Sequence, residues 1–250
     1  MRYFKYRFES KTLFSNPVSV HSYLLRTTPL DRKNQKLMEW SIELIPEYSV
    51  CQKDQDCWGN TINYGIVNEP HKSFGFLSSG KVEVSGTPVF DSAPLPVFSV
   101  PTILTSYTPE MDCMSRNGNN LVLAMEMMKG RLQYVTGSTD VMTTAGESFL
   151  QGKGVCQDFA HILIAICRKH GIPARYICGF VLGEGVTHAW TEIWSQGAWH
   201  AIDPTAGKIC DDSYIAIAMG RDAQDCSVSR GIFFGTTRQE TYTKVTVDEI

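Results

Sequence analysis

The sequence predicts an α+β protein. An N-terminal antiparallel, β-sandwich-like domain precedes a domain in which one long helix packs on an antiparallel sheet. Three observations carry this reading. Residues 2–9 and 38–44 alternate in polarity with the period of two that marks a half-buried strand. A proline-bearing stretch (Pro88, Pro94, Pro96, Pro101, Pro109) then breaks the pattern. Beyond it, apolar residues at 159, 162, 163, 166 and 167 form the stripe of a buried helix face, and two short alternating segments follow. The expected division is residues 1–105 as the β-rich domain and 106–250 as the second domain.

In the first strand Phe4, Tyr6 and Phe8 face one way, and Lys5, Arg7 and Glu9 the other. In the second, Met38, Trp40, Ile42 and Leu44 oppose Glu39, Ser41 and Glu43. Further strands are expected at 61–67 and 81–84, punctuated by Gly59-Asn60 and Ser79-Gly80. After Asn119-Asn120, helical spacing of Leu121, Met125 and Met128 predicts a helix interrupted at Gly130, its methionines core filler. Another helix is expected over 144–151. The main helix spans 155–170, stopped by Gly171 and Pro173 with Arg168 and Lys169 in its last turn. The final segment, with Tyr242, Val245 and Val247, predicts one more strand.

Composition is that of a globular protein: 250 residues, 43% hydrophobic and 20% charged, with net charge −3. No basic patch argues for nucleic acid, and no polybasic tail argues for a membrane. No apolar run is long enough to span a bilayer and no secretory leader is evident, so a cytoplasmic location is expected. The eight cysteines show no CxxC and no zinc-ligand spacing. They read as reduced thiols, most of them small apolar fillers. Asp211, Asp212, Asp222 and Asp225 lack EF-hand spacing and read as a solvated loop. No metal or cofactor is expected.

Cys156 is the thiol with a chemical context. It lies in the first turn of the main helix, where unpaired N–H groups and the helix dipole favour a thiolate. The same N–H groups suit a developing oxyanion. Gly152 and Gly154 are expected to leave the approach open. A two-residue hairpin turn at Gln196-Gly197 would pair 188–195 with 198–203. Asp203 then lies opposite Trp190 on the same face, with His188 its diagonal neighbour at roughly 7–8 Å between Cβ atoms or somewhat less. That spacing suits a His–Asp hydrogen bond. His188 would take the thiol proton and Asp203 would orient the imidazole. His161 points away from the thiol and is expected on the polar side of the helix near Asp158. His200 has the wrong strand parity. Asp158 reads as a helix-start acid or as a pocket residue.

Four ordered blocks, Gly154-Val155-Cys156-Gln157-Asp158-Phe159-Ala160-His161, Gly171-Ile172-Pro173-Ala174-Arg175-Tyr176, His188-Ala189-Trp190 and Asp203-Pro204-Thr205, closely resemble the transglutaminase-like superfamily. The similarity is to the bacterial branch described as candidate cysteine proteases. Asp56, Gly59-Asn60 and their meander resemble the β-rich region that precedes this core in bacterial members. The resemblance implies a papain-like core with Cys156 as nucleophile, His188 as base and acid, and Asp203 as orienter. Cys178 stands where relatives often carry serine, and Phe180 where they often carry tyrosine. Gln157, Asp158 and Trp190 are the candidates for oxyanion or pocket contacts. Calcium dependence is not implied. The expected chemistry is a thioester acyl-enzyme formed from a peptide or amide substrate, with water as the favoured acceptor. A lysine amine as acceptor would make isopeptide bonds, and a non-catalytic scaffold is the third reading. Oligomeric state is not legible.

Overall fold

Every second residue at the start of the chain is a large aromatic, and that pattern builds the first sheet. In the computed structural model, which describes residues 1–47, 49, 51–91, 93–115, 125 and 128–250, Phe4, Tyr6 and Phe8 are fully buried. They belong to β1 (Arg2–Leu25), followed by β2 (Gln35–Ile45), β3 (Gln52–Gln55), β4 (Thr61–Val67) and β5 (His71–Val84). β1 serves two ladders: residues 2–13 pair with β5, and residues 21–25 pair with β4. β2 flanks β5, and β3 flanks β4.

Two local expectations change here. Met38 is 52% exposed, because a register shift between Leu37 and Glu39 turns Leu37 toward the core in its place. Ser79-Gly80 is no turn: β5 runs straight through it, with Gly80 at the close approach of the Glu39 backbone. Gly59-Asn60 does end a turn, built on Asp56, whose carboxylate accepts from the N–H groups of Trp58 and Asn60.

The proline-bearing stretch lies on the second sheet. Val89 exchanges backbone hydrogen bonds with Trp199, and Phe98 packs edge-on against the Trp199 ring. The helix expected after Asn119-Asn120 lies in part outside the described residues, Leu121 included. Met125 and Met128 are buried, and helical backbone continues through Gly130 to Arg131.

The chain then forms β6 (Gln133–Tyr134), α1 (Ala145–Gln151), β7 (Lys153–Gly154) and α2 (Cys156–Lys169). Thr144 and Glu147 form a reciprocal cap at the start of α1. Residues 158–168 of α2 are all buried, so this helix is covered all round. Arg168, in its last turn, is a buried clamp: it donates to the carbonyls of Phe98, Ala174 and Arg221 and to Thr105 Oγ1.

After α2 come β8 (Ala174–Val181), β9 (Gly183–Gly185), β10 (His188–Ser195), β11 (Ala198–Asp203), β12 (Lys208–Ile209), β13 (Tyr214–Gly220), β14 (Ser229–Phe234) and β15 (Gln239–Glu249). The second sheet is antiparallel with order β12-β11-β10-β8-β13. α2 clusters with Tyr176, Cys178, Phe180, Ala189 and Ile193 on one face. Ile177, Trp190, Tyr214 and Ala216 cluster with Leu30 on the other.

The last two strands leave the second sheet. β15 pairs with β1 from Phe4 to Phe14, and β14 pairs with β1 from Ser19 to Leu25. A division that gives all of 106–250 to the second domain therefore cuts through a sheet: the chain's end returns to cover the open side of β1. Among the described residues no helix is long and apolar enough to cross a membrane.

β13 would be an open edge, and the N-terminal region closes it with side-chain amides. Gln35 accepts from Ala216 N–H at 2.8 Å and donates to the Ala216 carbonyl at 2.8 Å and the Leu30 carbonyl at 2.7 Å. Asn60 accepts from Met219 N–H and donates to the Met219 carbonyl, both at 2.8 Å. Gln35→Ala leaves buried backbone groups unpaired and is expected to lower unfolding free energy by about 2–4 kcal/mol in denaturant titration. A loss below about 0.5 kcal/mol would show that the edge is held by other contacts.

Candidate active site

Cys156 is the first helical residue of α2, half-buried, with Val155 as its extended N-cap. Asp158 holds this helix end. Its Oδ2 accepts from Val155 N–H at 2.7 Å and from Thr139 Oγ1 at 2.6 Å. Asp158 is thus the helix-start acid, buried at the cap. Burial pushes its pKa up against the lowering effect of those two hydrogen bonds. Gly152 and Gly154 have structural reasons of their own. Gly152, at φ 68°, ends α1, and a Cβ on Gly154 would collide with the Asp158 carboxyl at 2.7–2.9 Å.

The hairpin takes the expected register, with Ser195 opposite Ala198 and Thr191 opposite Ile202. Gln196 and Gly197 both have positive φ (51° and 81°), as a tight primed turn requires. His188 Nε2 lies 2.8 Å from Asp203 Oδ2. Asp203 uses its two oxygens differently. Oδ2 takes His188 and the Tyr214 hydroxyl, the latter at 2.9 Å. Oδ1 takes the N–H groups of Thr205 and Ala206 at 2.8 and 3.0 Å. The carboxylate therefore both turns the chain at Asp203-Pro204 and holds the imidazole.

Burial pulls the His188 pKa down, but the Asp203 hydrogen bond and the adjacent Cys156 thiol outweigh it and raise it to about 9. Burial likewise opposes ionisation of Asp203, and His188 with the other donors overcomes it, leaving its pKa below the ordinary value. With Nε2 committed to Asp203, Nδ1 is the imidazole nitrogen left for the thiol.

The remaining expected residues divide. Gln157 turns outward, its Nε2 donating to the Asp140 carbonyl at 3.4 Å. Trp190 is 1% exposed; its ring lies at 28° to that of His188 and meets Tyr214 edge-on, so it backs the imidazole. His161 is not on a polar face. It is fully buried, accepts from Ala223 N–H at 3.1 Å, and burial lowers its pKa to about 4 against the opposing pull of Asp222. Residues 221–226 cover this side of α2, and Asp222 is itself buried, unlike the solvated loop expected of the acidic cluster. His200 lies opposite Ile193 and contacts the Ser195 carbonyl, away from the site. Cys178 is buried, its thiol pushed up to about 12 by burial and then by nearby Cys156.

Two tyrosines were not singled out by the sequence reading. Tyr214 is the second donor to Asp203 Oδ2. Tyr134 pairs with Gly154 in the parallel β6–β7 contact, which sets its hydroxyl against the thiol and backbone N–H of Cys156. Burial raises its pKa, and proximity to Cys156 adds to the rise. A two-residue parallel pairing leaves no periodic signature, so Tyr134 had no local signal. Tyr214 opens an alternating strand and could have been found from Asp203 only through a non-sequential pairing.

Residues 117–204 match the transglutaminase-like superfamily core, and residues 4–83 match the bacterial transglutaminase-like N-terminal region. The chain thus carries a transglutaminase-like superfamily core behind a bacterial transglutaminase-like N-terminal region. It is 28% identical over 253 aligned residues to an uncharacterised protein of Mycobacterium leprae, covering 89% of this chain and 90% of that one. An uncharacterised protein of Mycobacterium tuberculosis is 27% identical over 266 aligned residues, covering 89% and 84%. The fold is shared with a crystal structure of a candidate cysteine protease from Cytophaga hutchinsonii: TM-score 0.83, 22% identity, covering 100% of this chain and 91% of that one.

The raised His188 pKa has a stability consequence. Its contribution is fully present below the ordinary value of 6.5 and fades as pH rises through about 9. In Asp203→Asn the His188 titration midpoint, read by imidazole NMR, is expected to fall toward or below 6.5, because burial remains while its main partner is gone. A midpoint unchanged from wild type would refute the pairing as its cause.

Proposed function

We propose that the protein is a thiol-dependent acyl-transfer enzyme acting on peptide or amide bonds, with Cys156, His188 and Asp203 as its triad. The observation that carries this reading is the Asp203-held imidazole, its pKa raised to about 9, beside a thiol at a helix N-terminus. Cys156 Sγ, its proton held by His188, attacks the substrate carbonyl carbon. The oxyanion that forms takes hydrogen bonds from Cys156 N–H and from the Tyr134 hydroxyl. The tetrahedral species collapses as the C–N bond breaks, and His188 gives its proton to the departing amine. A thioester remains on Cys156.

Water is the favoured second reactant. The Tyr134 side of the thiol is open, this residue being 53% exposed, which leaves water access to the thioester. His188 then takes a proton from water as the water oxygen bonds to the thioester carbon, the C–S bond breaks with that proton passing to sulfur, and the carboxylic acid and thiol are released. With a lysine amine as acceptor the same thioester would yield an isopeptide bond, the activity of a protein-glutamine gamma-glutamyltransferase.

Incubation with peptide libraries, with and without added amine, separates these outcomes by mass spectrometry. Cleaved peptides are expected. Products that have gained the amine and lost one ammonia would instead establish the transferase. Cys156→Ala is expected to lower turnover at least about a thousand-fold, and Asp203→Asn by about 10²–10⁴-fold. Iodoacetamide-sensitive activity that survives Cys156→Ala would remove Cys156 from the role of nucleophile.

A further inference from the structure

β1 cannot run straight through both of its ladders. Its pairing with β5 shifts register between Leu13 and Val18, its pairing with β14 shifts between Ser19 and Ser22, and Val20 takes a positive φ of 49°. The two halves diverge at this bend and enclose a cavity of about 970 Å³. It is lined by residues 10, 12, 14 and 21–24 of β1 together with parts of β3, β4, β5, β14 and β15, none of which carries the triad.

His21, which lines this cavity, pairs with His71 behind it, and the proton positions of the two follow from their partners. His71 Nδ1 lies 2.9 Å from the Glu69 carbonyl, which can only accept, so Nδ1 carries the proton. While both rings are neutral, His71 Nε2 is then a bare acceptor. His21 Nδ1, at 3.1 Å, must donate to it. The planes lie within 4° of each other, as an in-plane bond between ring edges requires. His21 Nε2 is left as a lone pair with no partner among the described residues. It faces Gly231, where an added Cβ would lie 2.6 Å away, and both residues line the cavity. His21 itself is 5% exposed.

The surroundings limit what can satisfy that lone pair. Phe14, Phe74 and Phe233 pack around the His21 ring. Burial, then His71, lowers the His21 pKa to about 4, so His21 itself presents no positive charge at physiological pH. The two charged residues of the lining, Asp54 and Arg230, are of opposite sign, and Arg230 donates to the Gln224 carbonyl. A purely aliphatic occupant would leave the acceptor unpaired. Ser10, Thr12 and Thr241 bring hydroxyls to the lining, Thr12 paired across strands with Thr241, and Ser10 with Thr243, which lies outside it. Each pair spends one O–H on the other and keeps one for a ligand. Aromatic faces attract C–H edges, and hydroxyls with a buried acceptor attract O–H groups. An uncharged, polyhydroxylated ring has both.

We propose that this cavity is a saccharide-binding site, with one sugar hydroxyl donating to His21 Nε2 and the sugar's C–H face against Phe74 and its aromatic neighbours. The volume accommodates a disaccharide. The site is independent of acyl transfer and would place a glycan-bearing substrate or surface at the far end of the N-terminal sheet.

The test uses the full chain and three probes: cellobiose, chitobiose and maltose, each up to millimolar concentration. His21 imidazole nitrogens are followed by long-range ¹H–¹⁵N NMR. At least one probe is expected to shift Nε2 saturably. Phe74→Ala is expected to weaken that binding at least ten-fold. Gly231→Ala, which puts a methyl against Nε2 but keeps the imidazole, is expected to abolish it, and so covers the case in which His21→Phe fails to fold. Two results would overturn the proposal: none of the three probes moves Nε2, or para-cresol binds in the cavity while all three saccharides fail.

Discussion

The exposed edge of the second sheet is the constraint on which the rest of the structure depends. β13 has one strand neighbour, β8, and its other edge would present bare N–H and C=O groups. Gln35 and Asn60 supply in side-chain amides, with the Leu30 backbone N–H on the Ala216 carbonyl beside them, what another strand would supply in backbone. Their grip falls at Ala216 and Met219, on either side of the register shift between Ala216 and Ala218. Tyr214, two residues before Ala216, donates to Asp203, and Asp203 holds His188. A physical path thus runs from the N-terminal region to the imidazole beside Cys156. The N-terminal region is part of the scaffold of the site.

The site's electrostatics follow from the same packing. A carboxylate 2% exposed is costly unless its oxygens are occupied, and Asp203 has two donors on each. Two come from the backbone after Pro204 and cannot follow the imidazole. They hold the carboxylate while His188 responds to the thiol, so the acid orients without being consumed. Asp158 acts similarly at the other end, linking Thr139 to the helix cap and fixing the first turn that presents Cys156.

What was legible in the sequence was set by local periodicity. The α2 stripe fixed the helix end at Cys156, and strand parity with a Gln196-Gly197 turn brought His188 to Asp203. The same helix phase correctly turned His161 away from the thiol, but it could not foresee that residues 221–226 would fold over it. A polar face predicts solvent only if nothing else lands there. Met38 was misread because a bulge costs one residue of register and leaves no trace in the alternation. Tyr134 and Tyr214 reach the site through pairings between distant segments. The return of β15 to β1 is the largest case: its alternation announced a strand, while its partner lies more than two hundred residues earlier.

That return also explains why the first strand is so long and why it bends. β1 must be flanked on both sides along 24 residues, and the chain covers it with two strands from the N-terminal region and two from the C-terminal end. Sheets twist, so four partners cannot remain in register with one straight strand over that length. The break at 15–20 relieves the mismatch, and β14 and β15 separate at the same place, joined through Gly235 at φ 142°. A wedge between the two ladders follows from this geometry. Phe14, Phe74 and Phe233 line it around the His21 ring. The His21–His71 pair sits there because a buried imidazole can be satisfied by a carbonyl at one end only. The other end of the relay opens into the cavity, so the fold that shelters the second sheet also presents a second, chemically defined surface.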